Sequence, residues 1–303
     1  MSTATEWYKR FAQRHENIQH SLAGAGAGVV SSVVTCPLDV VKTRLQNQGK
    51  AEAGVIPYRG TVGTLSRIWK EEGIRGLYRG LNVTLLGYLP TWAIYFTAYD
   101  YCKARYGRNM DSDKAWLVHI ASAMSAGATS SCMTNPLWLI KTRLMTQNER
   151  TAYRYKSTLD AFISIGRREG IRGYYKGLGS SLLGVTHVAV QFPLYEKLKS
   201  YLHVDAGSPG SLSILLASSL SKMTASMATY PHEVIRTRLQ NQSVKPFKYK
   251  GIFHAIKVIM AEESIRGFYK GLPTNLLRTV PSSAMTILTY EMLVRELNVL
   301  KDR

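Results

Sequence analysis

Long, mostly apolar segments alternate with shorter amphipathic ones along the chain, and this order occurs three times. Each odd segment exceeds 20 residues and carries its charge near the ends, so that residues 28–38, 122–140 and 212–230 contain one charged side chain, Lys222. The even segments cover about 81–105, 178–201 and 272–297. Segments of this length and pattern predict helices. The fold class predicted is all-α, with six long helices and a short helix inside each of three units.

The apolar pattern does not by itself decide between a membrane and an aqueous environment. Mean hydropathy is −0.11, and no segment has the unbroken apolar length typical of a helix surrounded by lipid. The alternative is a soluble helical repeat protein. The polar residues inside the segments are mainly Ser and Thr, which are tolerated where a helix has lipid on one side and a water-filled cavity on the other. The pattern therefore favours a membrane protein.

A proline-centred segment near the end of each odd helix marks the repeat. Pro37, Pro136 and Pro231 lie 99 and 95 residues apart, and each is followed by a basic residue five positions on and then by Thr-Arg. Self-similarity at a nearly constant period indicates repeated structural units. We divide the chain into an N-terminal tail, 1–16, and three units forming one domain, 17–108, 109–205 and 206–303.

Residues two and five positions after each proline lie about one helical turn apart, on one helix face. The first set is Asp39, Trp138 and Glu233, and the second is Lys42, Lys141 and Arg236. Proline kinks a helix, so three equivalent kinks would bring these residues together around an axis. We predict a ring in which Asp39 pairs with Lys141 and Glu233 with Lys42, while Arg236 faces Trp138 and lacks a carboxylate.

Charge and cysteine content narrow the function classes. Lysine and arginine number 39 against 20 acidic residues, giving a formal charge of +19, which indicates an anionic partner. A soluble basic helical scaffold that binds RNA is the alternative from charge alone, but no RNA-binding motif is present and the basic residues fall at helix ends. The three cysteines are expected to be small buried side chains. Outside the ring, no repeated catalytic or metal constellation occurs, so neither an enzyme nor a cofactor is expected.

With these motifs the chain resembles the mitochondrial carrier family over essentially its whole length. The resemblance rests on Pro-x-[Asp/Glu]-x-x-[Lys/Arg]-x-[Lys/Arg] and on an aromatic-basic-Gly sequence that ends at Gly80, Gly177 and Gly271. It implies six tilted transmembrane helices with threefold pseudosymmetry in the mitochondrial inner membrane, each unit carrying a short matrix helix. It further implies a monomer without a cleaved presequence, with cardiolipin bound at the aromatic-basic-Gly sequences.

Family resemblance also assigns roles to two sets of charged residues. The ring becomes a matrix gate, in which Gln46 and Gln240 would act as glutamine braces, whereas Met145 departs from that pattern. A cytosolic gate is expected from an aromatic-acid-x-x-base motif on the even helices. Its members are Asp100, Lys103, Glu196, Lys199 and Glu291, and Val294 replaces the third base, so this gate should form at most two ion pairs.

The substrate is inferred from the even helices, aligned on the three glycines. The seventh residue after each of these glycines is Gly87, Gly184 or Arg278, and the eighth is Tyr88, Val185 or Thr279. These positions are expected to contact substrate. Trp92 could stack on a base. Trp138 in its motif resembles the branch that carries NAD, pyrimidine nucleotides, and FAD or folate. Gly184-Val185 resembles the pair that contacts adenine in other carriers. The expected function is import of NAD+ in exchange for adenine nucleotides; a pyrimidine-nucleotide carrier or an FAD/folate carrier is the alternative.

Overall fold

The computed structural model describes residues 2–49, 57–108, 115–148, 151, 153–201, 211–243 and 246–301. Every regular element in those ranges is helical, which confirms the all-α prediction. The helices are α1 (Ser2–Asn47), α2 (Gly60–Leu77), α3 (Leu81–Gly107), α4 (Ala115–Thr146), α5 (Thr158–Glu169), α6 (Ile171–Tyr174), α7 (Leu178–Leu183), α8 (Thr186–Tyr201), α9 (Ser211–Asn241), α10 (Ile252–Glu263) and α11 (Leu272–Lys301), with a 3-10 helix at Ile265–Tyr269.

Two boundaries differ from the sequence-based expectation. Helix α1 begins at Ser2, so the segment 2–16 that we assigned to a tail is part of the first helix. The even segment of unit two is divided into α7 and α8, with Gly184 and Val185 between them. In the described part of the chain, none of the helices combines the length and apolar character needed to cross a membrane.

The glycine that precedes each even helix is required for two reasons. Gly80, Gly177 and Gly271 have φ values of 82°, 77° and 83°, a region that residues with a Cβ rarely adopt. A Cβ at Gly177 would also lie 3.2 Å from the Arg236 carbonyl oxygen, and one at Gly271 would lie 3.0 Å from that of Lys42. These glycines let the start of each even helix pack directly against the odd helix of the next unit.

Three similar hydrophobic clusters stabilise the end of the molecule where the short helices lie. Each combines the last turns of an odd helix with a short helix of the same unit, as Val41 and Ile68 do in unit one. The corresponding pairs are Ile140 with Ile165 in unit two and Ile235 with Ile259 in unit three. All six side chains are almost completely buried. The long helices pack as neighbours in the pairs α3 with α4, α8 with α9, and α1 with α11.

Candidate functional site

The charged ring, which we define as the residues two and five positions after Pro37, Pro136 and Pro231, is assembled by α1, α4 and α9. Lys42 Nζ lies 2.7 Å from Glu233 Oε2, and Lys141 Nζ lies 3.8 Å from Asp39 Oδ2. Arg278 Nη1 lies 2.6 Å from the other oxygen of Asp39. Asp39 is thus held mainly by an arginine that we expected to contact substrate, and only loosely by its ring partner.

The third side of the ring is different because Trp138 provides no carboxylate. The Trp138 indole N–H donates to Thr134 Oγ1 at 3.1 Å, one turn earlier in α4, and Lys141 Nζ lies 5.0 Å from the centre of the Trp138 ring. Arg236 forms no ion pair with any residue that the structure describes. The ring therefore contains two ion pairs of its own and one cation without a carboxylate.

The two glutamines nine positions after proline also differ in their contacts, because one lies next to a ring carboxylate and the other does not. Gln46 Nε2 donates to Glu233 Oε2 at 3.1 Å and to the Tyr230 hydroxyl at 3.0 Å. The equivalent Nε2 of Gln240 is buried and has no hydrogen-bond partner among the described residues, although Gln240 Oε1 accepts from Thr142 at 2.9 Å. The unit-to-unit relation that joins Gln46 to Glu233 would join Gln240 to position 138, where tryptophan offers no acceptor.

A second set of charges, which we call the outer network, has the same form in all three units. Its members are the ion pairs Arg44–Glu72, Arg143–Glu169 and Arg238–Glu263, all buried. Each arginine Nε also donates to a main-chain oxygen of another unit, that of Met145, Gln240 or Gln46, at 3.0, 2.9 and 3.0 Å. The outer network thus links unit one to two, two to three, and three to one.

Sequence analysis missed the outer network, although the signal was present. The arginines occupy the seventh position after each proline, and the glutamates precede the repeated Ile-Arg-Gly by two residues. Burial alone would raise the pKa of Glu169, but hydrogen bonds from Arg143 and Lys176 outweigh it, so the Glu169 pKa lies below its usual value. Both partners of the pair therefore remain charged, which is the condition under which a buried ion pair is held together.

The three residues predicted at offset seven face the odd helix of the following unit. Gly87 lies against Trp138, with 3.8 Å from an ideal Cβ to the indole, and Gly184 lies against His232, with 2.7 Å to Nε2. The third residue, Arg278, contacts α1 of unit one through its ion pair with Asp39. The side of Gly184 that could receive a flat base is thus covered by the His232 imidazole in this conformation, a contact that the sequence did not indicate.

A cavity of about 220 Å³ adjoins the ring between α8, α9 and α11. We call it the central cavity; its lining includes Arg278, Thr279, Lys222, Asn275 and Ser226. Asn275 donates to Ser226 Oγ at 2.9 Å, which fixes the polar wall between α9 and α11. Arg278 Nε is buried and has no hydrogen-bond partner among the described residues. The cavity is therefore lined by cations, by hydrogen-bonding groups and by the Glu233 carboxylate, which is paired with Lys42.

The other residues predicted to contact substrate include Tyr88, Val185 and Trp92, none of which is among the residues that line the central cavity. Tyr88 lies next to Gly28 and Val185 next to Gly127, since an ideal Cβ added at either glycine would be in ordinary van der Waals contact with these side chains. Trp92 is half exposed, stacks on Phe96 with ring centres 5.5 Å apart, and does not line the central cavity. Its role in stacking on a base stays a prediction.

Three of the residues expected to form the second gate can be described by their exposure to solvent. Asp100, Lys103 and Glu196 are exposed and form no ion pair within the described ranges, while Lys199 is half-buried. The side chain of Glu291 lies outside the described residues. The charged ring is therefore assembled in this structure, whereas Asp100, Lys103 and Glu196 are exposed.

Comparison with known proteins agrees with these repeated features. The family model described as "Mitochondrial carrier protein" matches residues 13–110, 112–206 and 208–299. "Mitochondrial nicotinamide adenine dinucleotide transporter 1" of Saccharomyces cerevisiae is 45% identical over 89% of this chain and 75% of its own length.

Two Arabidopsis thaliana proteins give similar values. "Nicotinamide adenine dinucleotide transporter 2, mitochondrial" is 47% identical over 90% of this chain and 78% of its own length. "Nicotinamide adenine dinucleotide transporter 1, chloroplastic" is 44% identical over 91% of each. A family match in each of the three units, together with relatives aligned over most of the chain, gives the identification: this chain belongs to the mitochondrial carrier protein family.

Proposed function

We propose that this protein transports NAD+ across the mitochondrial inner membrane in exchange for adenine nucleotides. Its long helices would cross the membrane as three pairs around the central cavity, and the protein would act as a monomer. The observation that carries the proposal is the position of Arg278, a permanent cation in a cavity between α8, α9 and α11 that adjoins the charged ring. Near-full-length similarity to proteins named as NAD transporters supports NAD+ as the nucleotide.

Transport would proceed by alternating access, with the charged ring as the matrix gate. In this structure the ring is assembled, whereas Asp100, Lys103 and Glu196 at the opposite end are exposed. This arrangement fits a state closed toward the matrix and open toward the cytosol. Each ion pair stabilises only the state in which it forms, so a ring with two pairs of its own sets a lower barrier than a ring with three.

Arg278 would bind the pyrophosphate of NAD+. A guanidinium can donate to two phosphate oxygens at once, and Arg278 Nε is free of any described partner. The Asp39 carboxylate holds Arg278 Nη1 in this conformation, so a phosphate must compete with Asp39 for this side chain. Substrate binding would thereby weaken the hold on Asp39 and favour opening of the ring.

The adenine would lie at Gly184 and Val185. In this conformation His232 fills the space beside Gly184, so the adenine contact requires the His232 ring to move when substrate binds. Because Gly184 has no side chain, a flat ring, either an imidazole or a base, can pack directly against the backbone at this position.

Cardiolipin would bind between neighbouring units on the matrix side. A cavity of about 1010 Å³ is lined by Arg79 and Gly80, from the aromatic-basic-Gly sequence of unit one, and by Lys156 and Ser157 at the start of α5. The N-terminal end of a helix favours phosphate, and basic residues nearby attract anionic lipid. Cardiolipin should copurify with the protein and raise its thermal stability; a preparation that lacks cardiolipin and gains no stability from it would contradict this assignment.

Uptake into liposomes tests the transport proposal directly. Purified protein is reconstituted into liposomes loaded with ADP, and the uptake of radiolabelled NAD+, UTP and FAD is compared. Liposomes that contain the protein but no internal ADP serve as the blank. We expect saturable NAD+ uptake that depends on internal ADP. Preference for UTP would instead identify a pyrimidine-nucleotide carrier, and preference for FAD a flavin carrier. Immunolocalisation of the protein to chloroplasts rather than mitochondria would contradict the proposed membrane.

A further inference from the structure

Lys222 is a third cation in the central cavity, and no carboxylate among the described residues is paired with it. The cavity also contains Lys42, which is paired with Glu233, and Arg278, which is paired with Asp39. Lys222 forms no ion pair with any described residue. Lys222 is exposed and lines the cavity, and ionisable residues that face a water-filled cavity between membrane helices often mark a substrate pathway.

The repeat places Lys222 at the level of the residues that we expect to contact substrate. Nine positions before the proline stand Gly28 in unit one, Gly127 in unit two and Lys222 in unit three. An ideal Cβ on Gly28 would lie 3.6 Å from Tyr88, and one on Gly127 would lie 3.5 Å from Val185. Tyr88 and Val185 are the offset-eight residues of their own units, so this position faces the contact residues. In unit three the offset-eight residue is Thr279, which lines the same cavity as Lys222.

Unit three thus differs from the other two both at the position nine residues before the proline and at the offset-eight position that it faces. Units one and two place a glycine opposite a bulky side chain, tyrosine or valine, whereas unit three places a long cation opposite a small hydroxyl residue. The first arrangement fills space between helices. The second leaves room and adds charge on the side of the cavity where Arg278 lies.

We propose that Lys222 binds the second phosphate group of the transported nucleotide, so that Lys222 and Arg278 together hold a diphosphate. This inference rests on the proposed nucleotide transport and adds the residue that distinguishes a diphosphate from a monophosphate. Asp39 occupies Arg278 in the substrate-free structure, so Lys222 is a cavity cation that an incoming phosphate can contact without displacing a carboxylate. Arg278 then exchanges Asp39 for the other phosphate.

The transport test compares three variants. Lys222→Met removes the charge but keeps a long side chain, Lys222→Arg keeps the charge, and Lys257→Met makes the same charge change at an exposed position of α10. For NAD+ uptake into ADP-loaded liposomes we expect Lys222→Met to raise KM by about tenfold, which corresponds to the loss of one charge-assisted contact. Lys222→Arg should recover most of this loss, and Lys257→Met should match wild type. A wild-type KM for Lys222→Met would overturn the proposal.

A binding test separates the second phosphate from a general effect of charge. In detergent, ADP should raise the Tm of the wild-type protein more than AMP does, because ADP can contact both cations. In Lys222→Met the two nucleotides should give similar shifts, since one cation remains. A variant that retains the full ADP-over-AMP difference would show that Lys222 does not contact the second phosphate.

The two proposals can fail separately. If wild type takes up UTP but no NAD+, the proposed substrate is wrong, and Lys222 is then tested with UTP against UMP in the same assays. If wild type transports NAD+ and Lys222→Met does so with unchanged KM, NAD+ transport stands and the role of Lys222 is wrong.

Discussion

The arginines of the outer network lie on the same three helices as the charged ring, two residues after its basic members, yet only the outer network has the same form in all three units. Arg44, Arg143 and Arg238 each meet a buried glutamate and a main-chain oxygen of another unit. The ring, by contrast, has carboxylates at two of three places, and Arg278 reaches in from outside the motif. The difference indicates which charges maintain the architecture and which can change with transport.

A physical reason supports this division. The outer network is buried, and a buried charge that loses its partner is strongly destabilising, so a change in any unit affects the whole molecule. In the proposed mechanism the ring opens during transport, and its total strength would set the energy required to open it. If the ring acts as the proposed gate, loss of one ring pair should be compatible with transport, whereas loss of one outer pair should destabilise the whole protein.

Removing an arginine of the outer network should have the largest effect on stability. Arg143→Ala leaves Glu169 buried without its main partner and removes the hydrogen bond to the Gln240 carbonyl. We expect a loss of about 3–5 kcal/mol in stability, measured as a fall in Tm in detergent. The control is Glu71→Ala, which removes the exposed pair with Arg67 and should cost about 0.5 kcal/mol or less. Equal Tm values for the two variants would contradict the division.

Replacing Arg278 should affect transport more than stability. Arg278→Ala removes the proposed phosphate contact and the stronger partner of Asp39, and we expect NAD+ uptake to fall by about a hundredfold, consistent with the loss of charged hydrogen bonds to substrate. Arg278→Lys should recover part of the rate, because lysine keeps the charge but not the planar fork. If Arg278→Ala transports NAD+ at the wild-type rate, both the anchor and the alignment of contact residues are wrong.

Adding the missing carboxylate should make the ring resemble the outer network. Trp138→Glu would give Arg236 a partner and would offer an acceptor to the unpartnered Nε2 of Gln240. We expect a higher Tm and slower uptake, several-fold at most, because one surface-type pair contributes about 1 kcal/mol or less. Trp138→Gln offers an acceptor without a charge, so it separates the two contributions. Unchanged uptake in Trp138→Glu would count against the ring as a gate.

The smallest effect is expected at the junction after the short helices. Gly73 and Gly170 have positive φ in units one and two, and Ser264 takes the same conformation in unit three, with φ 57° and ψ −164°. A residue with a Cβ is strained there. Ser264→Gly should therefore stabilise the protein by about 1 kcal/mol or less, and Gly170→Ser should destabilise it. A lower Tm for Ser264→Gly would show that the serine makes a compensating contact.

The charged ring could be predicted because a short motif that would be uninformative in one copy occurs three times at a nearly constant spacing. The prolines and the residues that follow them occur three times, and helical periodicity places positions two and five on one face. The break between α7 and α8 could not be predicted, since the expected segment 178–201 has the same apolar pattern as its counterparts. Comparison of the three units would also have revealed the outer arginines and Lys222, because the former occur in every unit and the latter in only one.

The sequence by itself determined the triplication, the all-α class, the chemistry available to the ring and its missing carboxylate. Only the tertiary structure decided which groups meet. Arg278 and Asp39 are 239 positions apart in the chain and 2.6 Å apart in space, and His232 covers a glycine that appeared open to substrate. Periodicity fixes the face of a helix on which a side chain lies, because it follows from local geometry. The partner across an interface depends on how separate helices pack, and no local pattern contains that information.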